Sequence, residues 1–251
     1  MTGSHAYHAA VSAVAPADLS NLHVIVPARG SGVGKSRLGE ALDAEERLTL
    51  VVGMLLNTID VLAAWAGCSG IHVVTADPLT RRLVRNSSSA AATVPETRTA
   101  DLNQALLDGR DRAIRAKASA VLYLPADLPH LATEALDRLL EAADACLAAG
   151  SGSPLVVIAP ADARVGTNAL LVAPPLTIEP QFGEASLEAH LRAAAAAEAS
   201  LQLVDDPALG FDLDTPDDLE RLEVQRQVEL QALGQRALDA LESPLARAGV
   251  A

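Results

Sequence analysis

Six short apolar runs recur along the chain, at residues 22–26, 71–75, 120–124, 155–159, 168–172 and 201–204. Each is four or five residues long and mostly aliphatic. A strand of that kind is buried on both faces. Longer segments with apolar residues at helical spacing separate the runs. One covers 43–66, and Asp77-Pro78 opens a short one that reaches Arg85. Others cover 102–118, 132–149 and 186–199. In 132–149, Leu136, Leu139, Leu140, Ala143 and Leu147 share one face, and Gly150 stands as the stop. Alternating strands and helices specify an α/β fold with a mostly parallel sheet, helices lying on both faces. Ligands of such sheets bind beyond the carboxyl ends of the strands. Residues 86–92 read as a loop, and Val94 as the start of a weak further strand. Near the end, Thr215 is a helix N-cap with Pro216 in the first helical position, and Asp217 and Asp218 suit that helix's positive end. This helix is read as continuing to Leu241. The division is an arm at 1–20, one domain at 21–222 and a helical extension at 223–251.

The chain's 251 residues carry a formal net charge of −13, which argues against nonspecific nucleic-acid binding. A small anion needs only a local cluster of donors and is compatible with that charge. The aromatic share is 2%, so the core is built from Ala, Val, Leu and Ile. Cys68 and Cys146 have no ligand spacing and read as reduced thiols. Residues 1–19 lack a basic region followed by a continuous apolar stretch, so no secretory signal is read there. The most apolar window, 48–67, contains Asn57, Thr58 and Asp60, and it places Leu48, Val51, Val52, Leu55, Ile59 and Leu62 on one stripe. It reads as a buried helix rather than a membrane span. The expected location is the cytoplasm.

The first strand runs into a glycine-rich basic loop, Arg29-Gly30-Ser31-Gly32-Val33-Gly34-Lys35-Ser36-Arg37. Glycines let backbone N–H groups approach phosphate oxygens, and the cations supply charge. The loop is not a Walker A motif, which needs Gly where Arg29 stands. Nor is it a dinucleotide fingerprint starting at Gly30, which needs Gly where Lys35 stands. A phosphate loop remains the reading, with an ordinary glycine loop as the alternative.

Asp127 lies just past the third run, between Pro125 and Pro129. A carboxylate at a strand's end, in a stiff loop, is a common metal position, although it also suits a turn. Asp212 and Asp214 are two apart and share one face if the segment is extended. Two adjacent carboxylates repel and call for a cation. Mg²⁺ takes few carboxylates together with water and substrate phosphate. The bland alternative is surface charge at a helix start. Two more segments carry hydrogen-bonding groups: Arg164-Val165-Gly166-Thr167-Asn168 at a turn, and Phe182-Gly183-Glu184-Ala185-Ser186 entering a helix, with His190 one turn on. Free N–H groups at a helix start suit a carboxylate or phosphate. Ser186 could equally be a plain N-cap, and His190 a packed or solvent-facing residue.

Taken together and in order, these stretches resemble the 2-phospho-L-lactate guanylyltransferase family of deazaflavin coenzyme (F-420) biosynthesis. The matching residues are Val26-Pro27 with Gly34-Lys35-Ser36-Arg37-Leu38, Val73-Val74-Thr75-Ala76-Asp77 and Leu102-Asn103-Gln104-Ala105-Leu106. They continue with Leu124-Pro125-Ala126-Asp127-Leu128-Pro129, Gly166-Thr167-Asn168-Ala169-Leu170, Phe182-Gly183 with Ser186, and Gly210-Phe211-Asp212-Leu213-Asp214-Thr215-Pro216. Asp101 stands where the family usually carries Gly. The resemblance implies a single Rossmann-like nucleotidyltransferase domain using GTP, Mg²⁺ and a small phosphorylated carboxylic acid. Family acceptors are 2-phospho-L-lactate, phosphoenolpyruvate and 3-phospho-D-glycerate, and this chain sits nearest the last. It implies Asp127, Asp212 and Asp214 as metal ligands, with Asp127 among the catalytic residues. Lys35 and Arg37 are implied catalytic residues near the triphosphate, and Arg29 and Asn103 nucleotide contacts beside Lys35. Thr167, Asn168, Gly183 and Ser186 form the implied acceptor site. Neither nucleic acid nor membrane is an expected partner, and the oligomeric state stays open, a homodimer included. The rival readings are a P-loop-like NTPase, a nucleotidyltransferase acting on another phosphorylated metabolite, and a noncatalytic nucleotide-binding regulator.

Overall fold

The computed structural model describes residues 16–28, 35–87, 90–98, 101–149, 153–163 and 165–242. The six runs become strands, and the weak further strand expected from Val94 forms earlier, its first residues lying where a loop is expected. They are β1 (Leu22–Pro27), β2 (Gly70–Val74), β3 (Ala91–Val94), β4 (Ala120–Tyr123), β5 (Leu155–Pro160), β6 (Thr167–Ala173) and β7 (Ser200–Leu203). Their order in the sheet is β3-β2-β1-β4-β6-β5-β7. All neighbours are parallel except β6, which is antiparallel to both β4 and β5. The sheet is thus mostly parallel with a single reversed strand. Val94 ends β3 rather than beginning it. Ala91-Ala92 carries little strand signal of its own, and edge pairing with β2 is what makes it extended.

The helices are α1 (Ala44–Ala64), α2 (Pro78–Ser87), α3 (Leu102–Arg115), α4 (Thr133–Ala148), α5 (Ser186–Ala196), α6 (Pro207–Gly210), α7 (Pro216–Arg221) and α8 (Val224–Glu242), with a 3₁₀ turn at Ser36–Glu40. Alternate residues of β1 show how both faces are covered. Leu22, Val24 and Val26 face a core completed by α1, α2, α4 and α8, while Ile25 faces one completed by α3 and α5. A third cluster joins Leu38, Leu50, Met54, Phe211, Leu213, Leu222 and Leu230.

Helix α1 is long and apolar enough to cross a membrane by length and composition. Its apolar positions are those of a core helix. Val52, Leu55 and Ile59 pack toward the sheet, and Leu50 and Met54 pack into the third cluster. Asp43 starts it with a full capping box to Glu46. On its outer side α8 lies against the backbone itself. A Cβ built on Gly53 would stand 1.9 Å from the Leu230 carbonyl oxygen, and one on Gly234 the same distance from that of Thr49.

Three boundaries differ from the sequence reading. Helices α7 and α8 are separate, because Leu222 leaves helical geometry to bury its side chain in the third cluster. Helix α5 stops at Ala196, where Glu198 turns to positive φ and β7 begins. Helix α6 was not foreseen, although Asp206-Pro207 carries its start signal. The Asp206 carboxylate accepts from the N–H groups of Ala208 and Leu209. Both cysteines are free thiols.

Candidate active site

The carboxyl ends of β1 and β4 open into a cavity of about 890 Å³, large enough for a nucleotide and a small acid. Its wall includes Pro27 and Ala28 after β1, Lys35 to Arg37, Leu102 and Leu106 of α3, residues 123–127, Phe182 to Glu184, and Asp214. Because β6 runs against β4, its first residues lie at the same sheet edge as the β4 carboxyl end. Thr167 and Asn168 are brought there by strand direction, not by sequence proximity.

The segment 211–215 is extended, and its side chains alternate. Phe211 and Leu213 are buried in the third cluster, so Asp212 and Asp214 face the other way. The Leu213 N–H donates to the Asp127 carbonyl at 3.1 Å and ties this segment to the β4 loop. Asp218 completes the capping box of α7, and its carboxylate also accepts from the Asp214 N–H at 3.1 Å. Asp218 therefore supports the site through the backbone.

Lys35 stands at the centre of this cluster. It begins the 3₁₀ turn at φ 59, and Leu38 anchors that turn in the core. Its ammonium donates to Asp127 Oδ2 at 2.5 Å and to Asp214 Oδ1. Burial works against the lysine's charge, but the Asp127 and Asp214 carboxylates outweigh it and raise its pKa above the usual lysine range. Asp212 is pushed upward by burial and then by its carboxylate neighbours, while the Asn168 amide, donating at 3.2 Å, opposes the shift. The same amide donates to the Gly210 carbonyl at 2.9 Å.

Among the described residues, no three His, Cys, Asp or Glu side chains converge as a ready metal cage. What gathers Asp127 and Asp214 is the Lys35 ammonium. The chemistry of the donors nonetheless fits a divalent cation. Among the described residues, Asp127 Oδ1 is buried without a hydrogen-bond partner. Asp127 and Asp214 share the one Lys35 ammonium, with Asp212 beside them, a concentration of carboxylates that a cation would relieve.

The segment 182–186 is built differently from a simple helix cap. Ala185, at φ 54, occupies the cap position of α5, and Ser186 is its first residue. Ser186 Oγ instead accepts from the Thr167 N–H at 2.9 Å, across to β6. Gly183 sits at φ 132, a conformation that favours glycine. His190 is fully buried and bonded to both Thr167 and Gln181, so it is packed rather than solvent-facing. Its pKa falls to about 4 because of burial.

Asn103 has both ends of its amide on the Phe182 backbone. Its Nδ2 donates to the carbonyl at 3.0 Å, and its Oδ1 accepts from the N–H at 2.8 Å. It joins the start of α3 to the loop at Phe182. Asp101, where the family usually has Gly, is the N-cap of α3 and accepts from the Gln104 N–H at 3.0 Å. Arg37 is exposed on the cavity wall. Arg29, the glycines of its loop and Arg164 lie outside the described residues.

Two residues of this region escaped the sequence reading. Tyr123, the one aromatic of β4, lines the cavity and meets Phe182 edge-on. Arg226 of α8 donates from Nε to the Pro129 carbonyl at 2.7 Å and so steadies the Asp127 loop. No local pattern marks either role.

Family and fold together make the chain a nucleotidyltransferase-type enzyme. The family described as "Guanylyl transferase CofC like" matches residues 22–227, and the chain belongs to it. It is 38% identical to a phosphoenolpyruvate guanylyltransferase of Rubrobacter xylanophilus over 209 residues, which are 83% of this chain and 97% of that protein. It is 36% identical to a 3-phospho-D-glycerate guanylyltransferase of Phenylobacterium zucineum over 196 residues, 77% of this chain and 86% of that one. In fold it is similar to a Desulfovibrio desulfuricans protein described as a nucleotide-diphospho-sugar transferase. The TM-score is 0.66 at 15% identity, over 86% of this chain and 97% of that one.

Proposed function

We propose that this chain transfers the guanylyl group of GTP to the phosphate of a three-carbon phosphorylated acid, in deazaflavin coenzyme biosynthesis. An acceptor phosphate oxygen attacks the α-phosphorus, the bond from that phosphorus to the bridging oxygen breaks, and pyrophosphate leaves. The observation that carries this reading is Lys35 between Asp127 and Asp214 on the wall of the cavity that Gly183 also lines. Such a transfer needs positioning and charge neutralisation more than covalent help. Asp127, Asp212 and Asp214 would hold Mg²⁺, which when bound neutralises phosphate charge and aligns the two anions. Lys35, kept charged by its partners, and Arg37 stabilise the departing pyrophosphate. The acceptor's phosphate is already an anion, so no general base is required. Thr167, Asn168, Gly183 and Ser186 frame the acceptor, with Asn168 acting through Asp212. Among acceptors, 3-phospho-D-glycerate is placed first. Relatives named for phosphoenolpyruvate and for 3-phospho-D-glycerate both match this chain, at 38% and 36% identity, so the two acids are assayed together with 2-phospho-L-lactate. The cytoplasm is the compartment this reading proposes.

The test is incubation with GTP, Mg²⁺ and each acid, reading pyrophosphate and product mass. A guanylylated acid with release of pyrophosphate is expected. No pyrophosphate with any acceptor would sink the reading, and release of γ-phosphate instead would favour the NTPase alternative. Asp212→Asn should lower turnover by at least about 10²-fold, the scale for losing one electrostatic stabiliser, with little change in melting temperature. Full activity in that variant would remove Asp212 from the metal set, and unaltered ligand binding in a wholly inactive chain would favour the noncatalytic regulator.

A further inference from the structure

The buried polar chain behind Gly183 has a definite direction. The Gln181 N–H donates to His190 Nε2 at 2.8 Å. A backbone N–H can only donate, so Nε2 carries no proton and the neutral ring carries it on Nδ1. The contact of 3.0 Å between Nδ1 and Thr167 Oγ1 is therefore a bond that the histidine donates and the hydroxyl accepts. One bond further, the Thr167 N–H donates to Ser186 Oγ. Each hydroxyl is used as an acceptor. Neither hydroxyl proton meets an acceptor among the described residues. Both groups are buried, Thr167 to 6% exposure and Ser186 to 2%, directly behind the cavity wall at Gly183 and Glu184. Two such protons left without acceptors in a buried place are suited to an anionic oxygen.

We infer that His190 is a positioning residue for the acceptor: it holds the 181–186 loop and turns the Thr167 hydroxyl into a donor for the acid's carboxylate, beside the Ser186 hydroxyl that the Thr167 N–H orients. The inference rests on the proposed guanylyl transfer and goes beyond it, since His190 touches no substrate. Burial supports it by keeping the ring neutral near pH 7. The Phe182 ring meets His190 edge-on at 5.1 Å between centroids, and the Asn103 amide holds the Phe182 backbone from the other side, so the loop is braced from both sides.

The test separates acceptor from nucleotide. In His190→Phe the KM for the acceptor should rise about ten- to a hundredfold, the range for losing a hydrogen bond to a charged group. The KM for GTP should stay within about twofold. Thr167→Val should act on the same proton, so the double variant should be little worse than the worse single one. If His190→Phe does not fold, a second pair decides. His190→Asn keeps a donor near the Nδ1 position, whereas His190→Gln reaches the Nε2 position only. Asn should hold the acceptor KM close to wild type and Gln should not. Equal acceptor KM values for Asn and Gln, or a parallel rise in the KM for GTP, would overturn the inference while leaving guanylyl transfer intact. A wild-type chain that releases no pyrophosphate with any phospho-acid would remove both.

Discussion

Asn103 shows how a residue's neighbours in space add a role to the one suggested by its neighbours in sequence. The family resemblance placed it beside the nucleotide. In the fold its amide pairs with the backbone of Phe182, 79 positions away. Removing that amide leaves the Phe182 N–H and carbonyl without their partner and loosens Gly183. Asn103→Ala should therefore raise the KM for the acceptor by about tenfold while moving the KM for GTP much less. Steady-state kinetics with each substrate varied in turn checks this, and a rise confined to GTP would restore the nucleotide contact. The three aspartates were more legible. Asp127 follows a recognisable strand, and the spacing of Asp212 and Asp214 places both opposite the buried Phe211 and Leu213. Not legible was that Lys35 would stand between Asp127 and Asp214, because that contact closes over 92 and 179 residues.

At the scale of elements, the pairing of α1 with α8 decides most. Gly53 and Gly234 allow the two helices to touch backbone to side, and neither position has room for a methyl group. In isolation Gly→Ala favours a helix by about 1 kcal/mol. Here Gly53→Ala should instead destabilise the chain by about 2 kcal/mol, within the range for overpacking. The urea midpoint measures it, and an increase would show that α8 yields easily. The break between α7 and α8 is another element-scale outcome. No Gly or Pro marks it, so helical periodicity runs through Leu222 without interruption. The break follows from the burial that Leu222 gains in the third cluster, a tertiary reward invisible to local propensity. By contrast, the starts of α1 and α7 were open to reading, since Asp43 and Thr215 cap through bonds within three residues.

At the scale of the molecule, residues 223–251 were set apart as an extension, yet Leu230 and Leu241 of α8 are buried in two different clusters. A chain ended after Leu222 should lose cooperative thermal unfolding, because one side of α1 would be stripped of its cover. A sharp melt near the wild-type temperature would make α8 dispensable. Stability should also depend on acid. His190 is held neutral with its pKa lowered to about 4, against about 6.5 in the unfolded chain. Between those values the unfolded chain binds the proton and the folded chain does not. Stability is therefore complete above about pH 6.5 and falls as pH drops toward 4, by up to roughly 3 kcal/mol for this one group. His72, lowered to about 4 by burial, then by His23 and Arg112, acts in the same direction. Denaturant midpoints at pH 7, 5.5 and 4.5 check this, and a flat series would contradict it.

What the sequence by itself determined is whatever repeats or closes locally: the alternation that makes a covered parallel sheet, the caps of α1 and α7, and the strand-end position of Asp127. Strand and helix periods are set by backbone geometry, and capping bonds span only a few residues, so both can be read without the fold. The tertiary structure alone decided that β6 runs backward, bringing Thr167 and Asn168 to the site, and that Leu222 ends a helix. It alone placed Lys35 between two aspartates, Asn103 and His190 around the 181–186 loop, and α8 against the backbone of α1. Those outcomes depend on contacts between distant segments, whose energies appear only when the chain has closed on itself.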